Sequence, residues 1–505
     1  MIDAVGIYEK LIAVDFFDNP RFRNRYDDIT ISDIFHLCFG NDLRFNNTVG
    51  EWYKYDTALG IWKAGADAIV QSKCKILARA VLQYAEDVQR DFLSSDESND
   101  EAKQKRMKKF LSWARALQNF SARQRLERDA RPIGSFTTPE LDADKSLFNC
   151  VDGVVDLAEG PNQYELLPHS PNYLMTRCSN VIAHGERNGD RWERFLDEVM
   201  EGDDEKKDYL QRVLGNCLVY GNKSQEIYMI WGQLTRNGKT SCLESVAHAM
   251  GDYATTANPA TFGMSSKTTD PQKPRPDVAN LAGARFIRCP EPQKGMILDA
   301  SLLKLFSGGN EVVTRQLFGK EFSFKSEATI IFDVNNLPRV TDSTLFDSGR
   351  ISVIPFSRHF SDGEQDVNLS EILQSQESAN YIFWWLAEGL EKCKKNPLKN
   401  RPDSVVQATK AYSESNDKVG LFLKDVLKKD SDAEPITVKY LYDLFQDWCR
   451  EGGMVPYRKS RFIDELKGRQ YYSQTGTVRG KTRRNVVKGF CLSEEGQDLA
   501  NQYIR

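Results

Sequence analysis

Ile227-Tyr-Met-Ile-Trp-Gly-Gln-Leu-Thr-Arg-Asn-Gly-Lys-Thr-Ser241 is the stretch that decides how this chain folds. Its first five residues, Ile227 to Trp231, are apolar and predict a short buried strand. A loop bounded by Gly232 and Gly238 follows, and Lys239-Thr240-Ser241 opens a helical run to Met250. A strand, a glycine-bounded loop and then Gly-Lys-Thr at a helix start is the arrangement that cradles phosphates. Loop amides and the helix N-terminus point positive dipoles at the anion. Lys239 is placed to neutralise β/γ charge and the Thr240 hydroxyl to ligate Mg²⁺, with ATP as the nucleotide. Gly232, Asn237, Gly238 and Ser241 complete the candidate nucleotide contacts. The loop has five residues between its glycines, where the general pattern has four. The motif therefore takes its weight from the flanking strand and helix.

Working outward, ARFIRC (284–289) and ATIIFDV (328–334) predict two further strands, and ISVIPF (351–356) a third. Strands alternating with helices over 225–356 indicate an α/β nucleotide-binding core. Glu291 sits just after ARFIRCP, where a carboxylate can polarise an attacking water and help to hold the metal. The plain alternative is a surface glutamate. Pro290 precedes it, so a two-acid version of this motif is missing. Asn335 ends ATIIFDV and can reach a γ-phosphate or its water, or it simply forms an Asn-Asn-Leu-Pro turn. Arg350 can serve a neighbouring subunit's nucleotide as an arginine finger, or pair with a nearby acid.

Farther out the pattern is mixed. An amphipathic helix over Ile31–Phe39 and a hairpin in EWYKYDTALGIWK (51–63) come first, then helices over 64–128, whose apolar face (Phe110, Leu111, Ala114, Leu117) is a packing pattern. FNCVDGVVDL (148–157) predicts a second hairpin turning at Asp152-Gly153. WERFLDEVM and YLQRVLGNCLVYG read as helices, as does NYIFWWLAEGLEKCKK, while NPLKNRPDS (396–404) reads as a linker. YYSQTGTVRGKTRRNVVKGFCLS (471–493) predicts a two-stranded wing with a basic tip.

Composition narrows the class. Hydrophobic residues make up 40% and charged residues 28% of the 505, ordinary for a globular protein. No run of eighteen apolar residues appears, so no membrane association is expected. The N-terminus is a poor signal peptide, and the ten cysteines are scattered without a C-x-x-C pair, which suits buried thiols in a reducing cytoplasm. The net charge of −4 hides an asymmetry: residues 451–489 carry ten Lys/Arg against three Asp/Glu. Arg458, Lys459, Arg461, Arg479, Lys481, Arg483 and Arg484, interleaved with tyrosines, fit contact with a phosphate backbone, against the plain reading of a solvated basic face.

The phosphate loop, Glu291, Lys304-Leu-Phe-Ser-Gly-Gly-Asn310, Thr314-Arg-Gln-Leu-Phe-Gly-Lys320, Asn335-Asn-Leu-Pro338 and Arg350-Ile-Ser-Val-Ile-Pro-Phe356 follow in that order. With LRFNNTVGEWYKYDTALGIWK and NCVDGVVDL upstream and WCREGG downstream, the sequence resembles the phage/plasmid primase–helicase family of superfamily 3, which includes the poxvirus-type helicases. The resemblance implies an α/β, AAA+-like core over 191–395 with its helical collar. It also implies an α+β accessory domain over 1–190, and a linker with a C-terminal winged helix over 396–505. Lys239 and Thr240 would be Walker A residues, Glu291 the Walker B acid, Asn335 sensor 1 and Arg350 the arginine finger, although Gly349 stands where a second basic residue is common. Arg315 and Lys320, in the hairpin before sensor 1, would grip DNA. The family likeness implies a hexameric ring moving 3′→5′ on single-stranded DNA and unwinding forked duplex, with a primase, polymerase or loader as partner. No primase module is expected within the chain. Two other readings compete: an origin-melting initiator without processive unwinding, and a P-loop enzyme acting on a small molecule.

Overall fold

The computed structural model describes residues 3–22, 25–158, 164–219, 224–264, 274–315, 321–469 and 472–503. At its centre lie five parallel strands, β1 (Ile227–Trp231), β2 (Ala254–Thr256), β3 (Phe286–Cys289), β4 (Thr329–Val334) and β5 (Ile351–Pro355), in the order β5-β1-β4-β3-β2. The strand before the phosphate loop is thus separated from the strand before Glu291 by β4. Side chains alternate across a strand, so a sheet buried on both faces needs apolar residues at every position. Tyr228, Ile230, Ile331 and Ile354 pack on one side with the phosphate-loop helix (Lys239–Met250) and the helices Asp190–Met200, Asp204–Gly215 and Gln376–Lys395. Ile227, Met229, Ile330, Phe332 and Val353 pack on the other with Phe262, Phe306 and Tyr412.

Two of these helices meet backbone to backbone. A Cβ on Gly389 would lie 2.2 Å from the Gln211 carbonyl oxygen, and one on Gly215 would lie 2.4 Å from the Leu390 nitrogen. Glycine at both positions is what allows Asp204–Gly215 to approach Gln376–Lys395 so closely.

The outer segments follow the sequence reading in kind, with three differences. The first hairpin, Glu51–Asp56 with Ile61–Ala64, gains a third strand, Leu43–Asn46. Residues Ile7 to Ala130 build one apolar core around the helices Asp67–Leu93, Glu101–Ala116 and Phe120–Ala130. The second hairpin, Leu147–Cys150 with Gly153–Asp156, does not join that core. Phe148 stacks on Tyr253 (4.4 Å) and Phe383 (5.2 Å), and Phe148, Cys150, Val155 and Leu157 share the core of the central sheet. Arg285, 1% exposed, clamps it: its guanidinium donates to the Leu147 carbonyl (2.6 Å) and the Leu218 carbonyl and lies over Tyr253. The two apolar cores therefore divide between Ala130 and Phe148. The turn is also one residue earlier than Asp152-Gly153, because Cys150 pairs directly with Gly153.

The segment read as a linker runs directly into a helix, Asp403–Asn416. Val405 and Tyr412 enter the sheet's two cores, and Thr409 Oγ1 accepts from the Val353 amide (2.9 Å) on β5. The C-terminal core proper starts at Val419 and gathers the helices Lys418–Val426, Val438–Glu451 and Lys459–Lys467. The basic hairpin, Tyr472–Val478 with Lys481–Val487, carries Ile436–Thr437 as a third strand. Its turn residues Arg479 and Gly480 both have positive φ (47° and 71°), as a tight two-residue hairpin connection requires. No described helix is long and apolar enough to cross a membrane, and all ten cysteines are free thiols.

Candidate nucleotide site

Lys239 begins its helix directly after Gly238, whose φ of +78° is the left-handed turn that swings the chain from loop to helix. A Cβ there would also meet Val199 (2.6 Å) and Phe195 (2.9 Å), so glycine is required on both counts. At Gly232 a Cβ would sit 1.9 Å from the Asn237 amide nitrogen and 2.6 Å from the Phe356 carbonyl oxygen. The loop is braced from outside: the Phe360 amide donates to Arg236 O (2.9 Å), the His359 Nδ1 donates to Thr235 O (2.8 Å), and Arg236 pairs with Asp362.

The Lys239 ammonium is 3% exposed and donates to Asn237 Oδ1 (2.8 Å) and Asn335 Oδ1 (2.7 Å). Burial pulls its pKa below the ordinary lysine value, opposed by the negative charges of Asp333 and Glu291. The Asn335 and Asn336 amides both donate to the Glu291 carboxylate, which is otherwise exposed at the end of β3. The Asn335 carbonyl accepts from Trp231 Nε1 (3.1 Å), locking the end of β4 to the end of β1. Lys239, Thr240, Glu291 and Asn335 thus converge at the carboxyl edge of the sheet, the edge where parallel α/β sheets bind ligands. Burial pushes the Cys242 thiol behind the loop up to about 12, so it stays neutral.

One residue of this site takes a different part from the one the sequence suggests, and one, Asp333, was not singled out by the sequence reading. Asn237 was assigned to the nucleotide, but here its side chain bridges the Leu234 carbonyl (2.7 Å) and Lys239. Asp333, inside an apolar run, accepts from the Thr240 hydroxyl (2.8 Å). The signal for Asp333 was present: a single carboxylate in an otherwise buried strand needs a partner.

Arg350 is not brought to this cluster. It precedes β5, its carbonyl accepts from the Ile227 amide (2.7 Å), and its guanidinium donates to Ser307 Oγ (2.9 Å) and Gln225 Oε1 (2.7 Å). That is the amino edge of the sheet, about five residues or roughly 16 Å of strand from the phosphate loop.

The candidate DNA contacts scatter over two surfaces. Arg315 ends the antiparallel hairpin Glu311–Arg315 with Glu321–Lys325, opposite Glu321, and Lys320 lies outside the described residues. On this hairpin Val313 is 61% exposed and Phe322 37%. Arg458, Lys459, Arg479, Lys481, Arg483 and Arg484 are exposed. Of these, Lys459, Arg479, Arg483 and Arg484, with Lys439, line a groove of about 1010 Å³ between the C-terminal hairpin and its helices. Arg461 does not join them. It stacks over Tyr457 (4.0 Å) and donates to the Thr341 carbonyl (2.5 Å), tying the C-terminal domain to the sheet's own loops.

Comparison with known proteins finds two family matches, one described as D5 N terminal like over residues 22–201 and one as Poxvirus D5 protein-like over residues 414–475. The chain is 23% identical over 344 residues to "Putative helicase L207/L206" of Acanthamoeba polyphaga mimivirus, covering 63% of this chain and 35% of that protein. It is 26% identical over 305 residues to "Putative helicase 022R" of Frog virus 3, covering 55% and 29% respectively. The chain thus spans about a third of the length of the curated relatives it matches. Among solved structures it is similar to the apo C-terminal region (305–718) of NrS-1, with a TM-score of 0.47, 11% identity, and coverage of 92% of this chain and 99% of that one. The two family matches lie toward opposite ends of the chain, and both of these viral relatives bear names that call them putative helicases.

Proposed function

We propose that this chain is an ATP-driven DNA helicase of superfamily 3 that works as a ring, with each nucleotide held between neighbouring subunits. The observation that carries this reading is the split of the candidate catalytic set across the sheet. Lys239, Thr240, Glu291 and Asn335 meet at one edge, while Arg350 stands at the other. An arginine finger placed there serves a nucleotide only on another copy of the chain.

In this reading the amides at the start of the Lys239–Met250 helix bind the phosphates, and Lys239 exchanges its two amide-oxygen partners for phosphate oxygens. Glu291, fixed by two backbone amides, accepts the proton of the attacking water. Asn335, released by Lys239, positions that water. The oxygen donors at Thr240 and Glu291 suit a hard divalent cation such as Mg²⁺, which would draw its remaining ligands from phosphate and water and offset the phosphate charge. Among the described residues no group of three His, Cys, Asp or Glu forms a metal site by itself. The hairpin carrying Arg315, and the basic groove of the C-terminal domain, supply the DNA contacts.

The test is ATP turnover with and without single-stranded DNA, alongside strand displacement on a forked duplex. DNA-stimulated turnover with unwinding, both lost in Lys239→Ala, is expected. Equal turnover by Lys239→Ala and the parent would end the assignment.

A further inference from the structure

Pro290 leaves the end of β3 with one acid, Glu291, where a phosphate-loop enzyme gains from two. The sheet register shows where another carboxylate enters. In the parallel pairing of β4 with β3 the last matched residues are Phe332 and Cys289. The next residue on each strand is Asp333 and Pro290, so the acid absent from β3 has a counterpart one strand over.

Asp333 is 5% exposed, and its Oδ2 accepts from the Thr240 hydroxyl at 2.8 Å. The same oxygen lies 3.6 Å from Arg288 Nη2, beyond good hydrogen-bond distance, while Arg288 Nη1 donates to Glu244 Oε1 at 2.9 Å. A buried carboxylate is costly unless its charge is closely met, and Arg288 is shared with a second acid. By taking the hydroxyl hydrogen, Asp333 turns the Thr240 oxygen's lone pairs away from itself and toward the phosphate side of the loop.

We propose that Asp333 is the second carboxylate of the divalent-cation site, standing in from β4 for the acid that Pro290 displaces. It orients Thr240 toward the cation and adds the negative charge that Glu291 alone lacks. The inference rests on the reading of Gly232–Ser241 as a Mg²⁺–ATP loop, and it names a residue that no phosphate-loop pattern contains.

The test uses the full chain, Mn²⁺ as the paramagnetic probe and a non-hydrolysable ATP analogue. Electron paramagnetic resonance titration gives Mn²⁺ affinity, and a parallel titration in chelator gives metal-free nucleotide affinity. Asp333→Asn keeps an oxygen acceptor for Thr240 and leaves Arg288 its Glu244 partner, so folding is preserved. It should weaken Mn²⁺ by about tenfold or more, while metal-free nucleotide binding, with one negative charge fewer beside the phosphates, should be no weaker than in the parent. Pro290→Asp combined with Asp333→Asn should recover most of the loss. Parent-like Mn²⁺ affinity in Asp333→Asn, or a fall in melting temperature with no change in Mn²⁺ affinity, overturns the proposal, as does a double variant no better than the single. If the parent binds no nucleotide, or Lys239→Ala binds it as the parent does, the loop reading fails first and takes the proposal with it.

Discussion

Removing the Asn335 side chain should expose what holds Lys239 in place. In the parent, the Lys239 ammonium is almost wholly buried and shares its charge between Asn335 Oδ1 at 2.7 Å and Asn237 Oδ1 at 2.8 Å. Asn335→Ala leaves one acceptor. A hydrogen bond to a charged group contributes about 1.5–3 kcal/mol, and the loss leaves a buried donor unmet, so about 2 kcal/mol of apo stability should go. That is roughly a 30-fold change in the folding equilibrium of the sheet. With a nucleotide analogue bound, phosphate oxygens replace Asn335 as the lysine's partner, and the stability gap between variant and parent should narrow sharply. Turnover should fall on the order of 10²-fold, the usual cost of losing one preorganised polar contact to the reacting groups. Asn335→Asp separates the two roles: it retains an acceptor for Lys239 and so keeps apo stability, yet sets a negative charge beside the γ-phosphate and loses turnover. Thermal unfolding with and without the analogue, together with ATPase rates, reads all of this. A stability gap that is equal in the presence and absence of nucleotide would refute the reasoning, because it would mean that Lys239 never changes partners.

Arg350→Ala should abolish turnover by itself, but mixed with an equal amount of Lys239→Ala it should recover activity at about a quarter of the interfaces, those pairing an intact lysine with an intact arginine. No recovery on mixing would place Arg350 in a structural role. Reversing Arg479, Arg483 and Arg484 to Glu should weaken DNA binding across sequences and lower the slope of log affinity against log salt by about 2 or more, read by fluorescence anisotropy. Gly389→Ala, whose Cβ would collide with the Gln211 carbonyl at 2.2 Å, should destabilise the chain by about 3 kcal/mol in urea unfolding. The Ser361 amide and hydroxyl and the Arg358 guanidinium hold the Glu364 carboxyl down to about 2. Its contribution is therefore complete above the ordinary glutamate range and lost as pH falls toward 2, so the melting-temperature gap between the parent and Glu364→Gln should shrink from pH 5 to pH 3.

Much of the sheet was legible because burial on both faces forces continuous apolar runs, and IYMIW, FIRC, TIIFDV and ISVIP all show them. β2 was missed for the opposite reason: Ala254–Thr256 is a three-residue edge strand of small, polar residues with no period to detect. The helix Asp403–Asn416 was taken into the C-terminal unit because prolines at 397 and 402 punctuate the chain before it; punctuation marks where a helix starts, not which core it joins. At the site, local pattern disclosed Lys239 and Thr240, whose roles follow from their place at a helix start. The partnership of Thr240 with Asp333 spans 93 residues, and nothing local reports it. Arg461 illustrates the same limit in reverse. It belongs by composition to a basic tract, while its hydrogen bond to Thr341, 120 residues away, gives it to the domain junction.

The short segment Asp333–Asn336 holds three of the side chains that meet at the carboxyl edge of the sheet. Asp333 holds Thr240, the Asn335 side chain holds Lys239, and the Asn335 and Asn336 amides hold Glu291. The same strand begins at Thr329, four residues after the hairpin strand Glu321–Lys325 ends. β4 is buried at all six positions and hydrogen-bonded on both sides, to β1 and β3, so it can shift only as a unit with little give along its length. If the hairpin grips DNA, as proposed, a pull on it acts at one end of a stiff rod whose other end sets the positions of the lysine, the acid and the cation-facing hydroxyl. The reverse also holds: when Lys239 leaves Asn335 for a phosphate, the constraint on the end of β4 is relaxed, and the hairpin is the part of that strand's path free to respond. Coupling between the nucleotide and this hairpin then needs no relay through a separate domain, because only three residues join the hairpin strand to β4.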